Sequence, residues 1–208
     1  MALKSVALAL GATVVGWIGY LTFGRGQPVV LFSWHPITLV AAYVLATPSA
    51  LLAMSDRRVE SNHAKRTSLV QWHAFMQTVS VVLATVGFSA IYINKDNNNR
   101  PHFTTTHSWV GCAAITLYYL SFVLGALKTF GKTWNWQWKD AAHRIFGVIN
   151  FVVSGAAVSL GLYSGGWGRA NLGASGQAVA TGLVALLHVV VVVKLSLTWN
   201  AVPVKSNE

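Results

Sequence analysis

Apolar residues run through this chain in six long blocks, with short polar stretches between them. The blocks cover about 6–23, 31–54, 68–93, 107–129, 141–164 and 177–199. A hydrocarbon core of about 30 Å takes roughly 20 helical residues to cross, and each block is about that long. Lipid offers no partner to an unpaired backbone amide or carbonyl, so segments of this length are predicted to be helices. Pro48 falls inside the second block and is expected to kink it. No repeat, low-complexity tract or long linker separates the blocks. The pattern therefore predicts one domain over 1–208, an all-α integral membrane bundle of six transmembrane helices. The first block follows Lys4 as a signal peptide would. No small-x-small cleavage site precedes the polar stretch at 24–26, so a retained first span is expected.

Composition supports the same reading. Hydrophobic residues make up 54% of the chain and charged residues 10%, against about 25% in an ordinary soluble domain. The net charge of +10 would suit nucleic acid, but the cations lie between apolar blocks rather than on one polar face. Basic loops beside a lipid bilayer explain them, and nucleic acid is not an expected partner. Arg57, Arg58, Lys65 and Arg66 fall between the second and third blocks, and Lys128, Lys132, Lys139 and Arg144 flank the connection between the fourth and fifth. Lys4 and Lys205 mark the ends. The other side carries Arg25, Lys95, Arg100 and Arg169. The Lys/Arg excess places the first set and both termini in the cytoplasm, and an even number of spans agrees. Lys194, near the end of the last block, can snorkel to the cytoplasmic interface. The one cysteine, Cys112, allows no intramolecular disulfide and no C-x-x-C-H haem attachment.

Alternating helix direction sorts four histidines. His35 and His107 open helices that run from outside to cytoplasm. His73 and His143 lie early in helices that run the other way. One pair thus falls in each leaflet. Ionisable residues inside a membrane are expensive and mark functional sites by default. A neutral imidazole is a good ligand for haem iron, and two on facing helices can hold one iron axially. Gly111 and Gly147 follow His107 and His143 by four residues, on the same helix face, where they leave room for a porphyrin or a close helix. Any single histidine is equally explained by a hydrogen bond to a neighbouring helix; two level pairs are harder to explain so. A metal transporter or a proton relay would more naturally show intramembrane Asp or Glu, and no block interior has one. His188, deep in the last block, reads as structural. His63 and His102 fall in loops. Trp34, Trp72 and Trp109 sit beside the paired histidines and read as interfacial anchors, as do Trp134, Trp136 and Trp138.

Several short motifs resemble one known family. They are Leu31-Phe32-Ser33-Trp34-His35-Pro36, Ala64-Lys65-Arg66-Thr67, His107-Ser108-Trp109-Val110-Gly111 and His143-x-x-x-Gly147, in that order. Together they resemble cytochrome b561. The Phe-Ser-Trp-His-Pro opening and a histidine five residues before His107 are most similar to its cytochrome b561 domain-containing protein 2 branch, the transmembrane reductases. The resemblance implies six helices with two non-covalent b haems between the four central ones. Electrons would pass from cytoplasmic ascorbate to monodehydroascorbate or a ferric chelate on the other side. It implies His35 and His107 as axial ligands of the outer haem, and His73 and His143 of the cytoplasmic one. It places Lys65 and Arg66 at the ascorbate site and His102 at the acceptor site. Ascorbate-type members carry a further lysine before the third-helix histidine, where this chain has Leu69, Val70, Gln71 and Trp72.

The residues themselves add to this. Ascorbate is an anion near neutral pH, and a Lys/Arg cluster gathers anions. Lys139 and Arg144, beside His143, are candidates to complete the cradle. Arg100, His102 and the threonines at 104–106 offer donors to an anionic or chelated acceptor. The expected location is an endomembrane, endoplasmic reticulum or vesicle, rather than the plasma membrane. A homodimer through the outer helices is compatible with the pattern. Two other functions fit the histidines: a haem-b subunit that oxidises quinol for a protein partner, and a non-redox scaffold or transporter.

Overall fold

The computed structural model describes residues 2–130, 141–164 and 166–201. Among them are six helices long and apolar enough to cross a membrane. They are α1 (Ala2–Phe23), α2 (Leu31–Val59), α3 (His63–Asn97), α4 (Thr106–Phe130), α5 (Ala141–Ser164) and α6 (Gly166–Leu197). Helix α2 is the most enclosed and runs beside α3 and α1, with α6 against its C-terminal half. Helix α5 packs between α4 and α6, and α6 returns to α1. Fully buried Val14, Ile18, Val44, Leu52, Phe151 and Leu187 join these helices into one core.

Three boundaries differ from the hydropathy pattern. Helix α2 continues past Met54 to Val59, and α3 starts at His63, so only residues 60–62 connect them. The Asn62 side chain accepts the Lys65 amide at 3.0 Å, which caps α3. Lys65 and Arg66 are therefore helical, not loop, residues. Helix α6 starts at Gly166, and Gly173 interrupts it with φ +64°, a conformation that costs glycine little. The density of glycine before residue 177 hides this outer portion from a hydropathy reading.

The expected kink at Pro48 takes a specific form. Residues Ala41–Ala46 make a π-helical turn just before the proline. The Thr47 amide and hydroxyl both donate to the Ala42 carbonyl, and the Ser80 hydroxyl of α3 donates to the same oxygen at 2.8 Å. The Tyr118 hydroxyl of α4 lies 3.0 Å from Thr47 Oγ1 and donates to Gln77. An unpaired backbone group in lipid costs several kcal/mol; the Ala42 carbonyl keeps a backbone donor across the wide turn, and the two hydroxyls add to it. The fifteen-residue step from His35 to Ala50 in α2 thereby runs alongside the fourteen-residue step from His73 to Gly87 in α3.

The end of the bundle expected to face the cytoplasm is tied by charge. Asp56 on α2 pairs with Lys4 of α1 at 2.7 Å and Lys194 of α6 at 3.4 Å. Asp56 lies past the apolar block, in the stretch by which α2 is longer than that block. The Arg58 guanidinium donates to the Thr198 and Trp199 carbonyls at 3.2 and 2.9 Å. The Trp199 ring carries the Arg144 guanidinium 3.9 Å from its centroid, a cation–π contact.

Candidate functional site

His35 and His107 meet at the N-terminal ends of α2 and α4, the end of the bundle expected to lie outside. Their ring centroids are 6.0 Å apart and the ring planes lie at 79°. The Nδ1 of His35 is 3.0 Å from the Gly87 carbonyl of α3, and that of His107 is 3.0 Å from the Ala157 carbonyl of α5. A carbonyl oxygen only accepts, so each Nδ1 carries the proton and each neutral ring keeps its lone pair on Nε2. That arrangement is how metal-bound imidazoles are oriented. Close helix approach makes it feasible. A Cβ on Gly87 would stand 2.4 Å from Thr38 Oγ1, and one on Gly161 would stand 2.8 Å from His107 Cε1. Glycine alone lets α3 and α5 come near enough for those bonds.

These rings line a cavity of about 430 Å³, walled by Phe32, Leu39, Tyr43, Ile115 and Trp167 among others. Ligand pockets span about 300–1,000 Å³. Gly111 also lines it, and a Cβ there would meet nothing within 4 Å. Lys95, Arg100 and His102 also line it. The His102 Nε2 donates to Asp96 Oδ1 at 2.7 Å, and its ring stacks on Tyr92 with centroids 4.1 Å apart. Asp96 and Tyr92 were not singled out in the sequence; the six-residue return from Asp96 to His102 was the available signal.

At the opposite end of the bundle, His73 repeats this geometry. Its Nδ1 donates to the Ala50 carbonyl of α2 at 3.0 Å. His143 lies within electrostatic reach of His73, and Gly125 of α4 approaches its ring. A Cβ on Gly147 would also meet nothing within 4 Å. His188, by contrast, is buried and stacked on Phe151 with centroids 4.1 Å apart, and its Nδ1 turns back to Val184 of its own helix. Its place is in the α5–α6 seam.

The expected cationic cluster is divided. Arg57, Arg66 and His63 line a small cavity at the α2–α3 connection with Thr67, Val70 and Gln71. The Arg66 Nη1 donates to the Glu60 carbonyl at 3.1 Å. Lys65 is exposed one position earlier and does not line the cavity. Arg144 points instead to Trp199, and Lys139 lies outside the described residues. Arg57 is buried, which its place among loop cations concealed. Buried positions 46, 50, 53 and 57 follow one helical stripe, so continuing the period past Met54 would have found it. Cations in the first turn of α3 oppose its macrodipole, which favours acids there. Helix stability does not explain Lys65 and Arg66.

Residues 34–168 match the model of the family described as eukaryotic cytochrome b561. The chain belongs to the cytochrome b561 family. It is therefore an integral, multi-pass membrane protein. It is 31% identical over 110 residues to "Probable transmembrane reductase CYB561D1" of Homo sapiens, covering 53% of this chain and 45% of that protein. It is 24% identical over 137 residues to "Transmembrane reductase CYB561D2" of Mus musculus, 64% of this chain and 62% of that one. It is 25% identical over 167 residues to "Ascorbate-specific transmembrane electron transporter 1" of Zea mays, 77% of this chain and 69% of that one. The match to the human relative thus spans about half of its length, and no single branch of the family is favoured. The family implies haem b. The residues present fit that group: three imidazoles are turned to leave Nε2 free, and Gly111 and Gly147 face open space beside the pairs.

Proposed function

We propose that this chain carries electrons across a membrane from cytoplasmic ascorbate to a ferric chelate or monodehydroascorbate on the other side, as an ascorbate-dependent transmembrane reductase with two non-covalent b haems. The orientation of the histidines carries the reading. Each of His35, His73 and His107 gives its Nδ1 proton to a carbonyl of a neighbouring helix. Ordinary packing would be equally served by either tautomer, whereas iron ligation through Nε2 needs this one. His35 and His107 would hold the outer haem, and His73 and His143 the cytoplasmic one. Each haem, when bound, supplies a one-electron ferric/ferrous couple.

The remaining roles belong to side chains at the two faces. Arg57 and Arg66 bring two guanidiniums to one cavity. Guanidinium groups donate in a planar fork to oxyanions, so this pair would bind and orient the ascorbate anion. Lys65, exposed beside them, would attract it over a longer range. Outside, Arg100 and His102 would receive the acceptor. Asp96 holds the His102 Nε2 proton, which leaves Nδ1 with the lone pair on the neutral ring. The reduced-minus-oxidised spectrum of purified protein tests the proposal, with haem counted per chain. A low-spin bis-histidine b spectrum produced by ascorbate is expected, with two haems per chain. Protein that contains no haem after expression with ample haem supply would refute it.

A further inference from the structure

Lys95 has no part in the roles above. It lies in the last turn of α3, on the side of the membrane where cations are fewer. A lysine there often serves the helix macrodipole by approaching the last carbonyls. This one does something else. Its Nζ leaves the helix and donates to the Pro101 carbonyl at 2.8 Å, which fixes the ammonium against the returning loop. Lys95 lines the outer cavity together with His35 and His107 and lies within electrostatic reach of both rings. It is partly buried, so salt screens it less than a surface charge. The adjacent carboxylate does not cancel it: Asp96 is largely solvent-exposed and bonded to His102. Arg100 also lines the cavity but is exposed.

We propose that Lys95 is a positioning charge for electron flow, raising the reduction potential of the outer histidine pair's site while leaving the inner site nearly unchanged. This rests on the haem reading given above. Reduction adds one negative charge to a site, and a fixed positive charge nearby favours that state. In the transfer itself one electron leaves the inner site, which is oxidised, and enters the outer site, which is reduced. No bond forms or breaks. Lys95 is 22 residues from His73 along α3, roughly 33 Å at 1.5 Å per residue, so its field at the inner pair is weak. A unit charge roughly 10 Å away, in a medium of effective dielectric near 20, changes an equilibrium by about tenfold. For a one-electron couple that is about 59 mV.

The experiment is a redox titration of the purified, haem-loaded full chain without any acceptor present. It compares Lys95→Gln, Lys95→Glu and Lys95→Arg, with His35→Ala used to assign the outer midpoint. The Gln variant should keep two haems per chain and show the outer midpoint lowered by about tenfold in the reduction equilibrium. The Glu variant should fall further, and the Arg variant should stay at the native value. An unmoved outer midpoint in Lys95→Gln would overturn the inference, as would equal shifts of both midpoints. Loss of haem from the Gln variant would overturn it too, because the charge would then hold the cofactor rather than tune it. Native protein without two haems would remove the haem reading and this inference together, so the two failures are distinguishable.

Discussion

Replacing Gly161 by alanine tests the outer site through one methyl group. The new Cβ would lie 2.8 Å from His107 Cε1 and 3.2 Å from its Nδ1. The ring has little room to yield, since its Nδ1 is held 3.0 Å from the Ala157 carbonyl on the same helix as the intruding methyl. Either α5 shifts outward or the imidazole turns and stretches that bond. Overpacking costs about 1–3 kcal/mol and a weakened hydrogen bond about 0.5–1.5 kcal/mol. Together these amount to roughly 2–4 kcal/mol. At about 1.4 kcal/mol per tenfold, the outer site should bind haem some thirtyfold to several hundredfold more weakly. The assay is haem per chain after dialysis against a haem scavenger, with the spectrum recorded at each stage. Gly161→Ala should approach one haem, with the inner signal kept. Gly182→Ala, where nothing lies within 4 Å of the new methyl, should keep two. Gly161→Ala protein that retained both haems with unshifted spectra would refute the idea that this glycine sets the position of His107.

Further outcomes follow from other residues. Gly111→Leu meets no protein atom within 4 Å at its Cβ, so the chain should insert and fold normally yet lose one haem, read by pigment count against folded protein. Arg57→Gln should slow reduction by ascorbate about tenfold to a hundredfold, the worth of one charged hydrogen bond, while reduction by dithionite and haem content stay unchanged. Asp56→Asn removes the counter-charge of both Lys4 and Lys194. It should lower stability by about 1–2 kcal/mol, between the values for surface and buried pairs, seen as a lower Tm in detergent.

The parts of this molecule that were legible in the sequence are those fixed by lipid. Six apolar blocks had to be helices, and alternating direction alone brought His35 to the level of His107. What stayed hidden depends on contacts distant in the chain. The acceptors for the histidine Nδ1 protons are the carbonyls of Gly87, Ala50 and Ala157, and a carbonyl has no signature in a sequence. Arg57 was concealed because a charged residue past an apolar block reads as loop, although α2 carries it inward. Arg144 sits beside His143 in the chain, but Trp199 holds its guanidinium through a contact between helices. Adjacency in sequence was a poor guide there, because neighbours on a helix point about 100° apart.

The wide turn in α2 makes spacing itself a recognisable mark. Two helices that must present ligands and carbonyls to one another at both membrane faces need equal lengths between those points, and here one strides fifteen residues where the other strides fourteen. Removing any one residue from Ala41–Ala46 would close the turn into ordinary helix. The strides would then be fourteen and fourteen, so His35 and the Ala50 carbonyl would both still face α3. A single-codon deletion on an alanine of this stretch should therefore do far less harm than one between His73 and Gly87 in α3, where no wide turn absorbs the lost residue and the two ends would rotate by about 100° against each other.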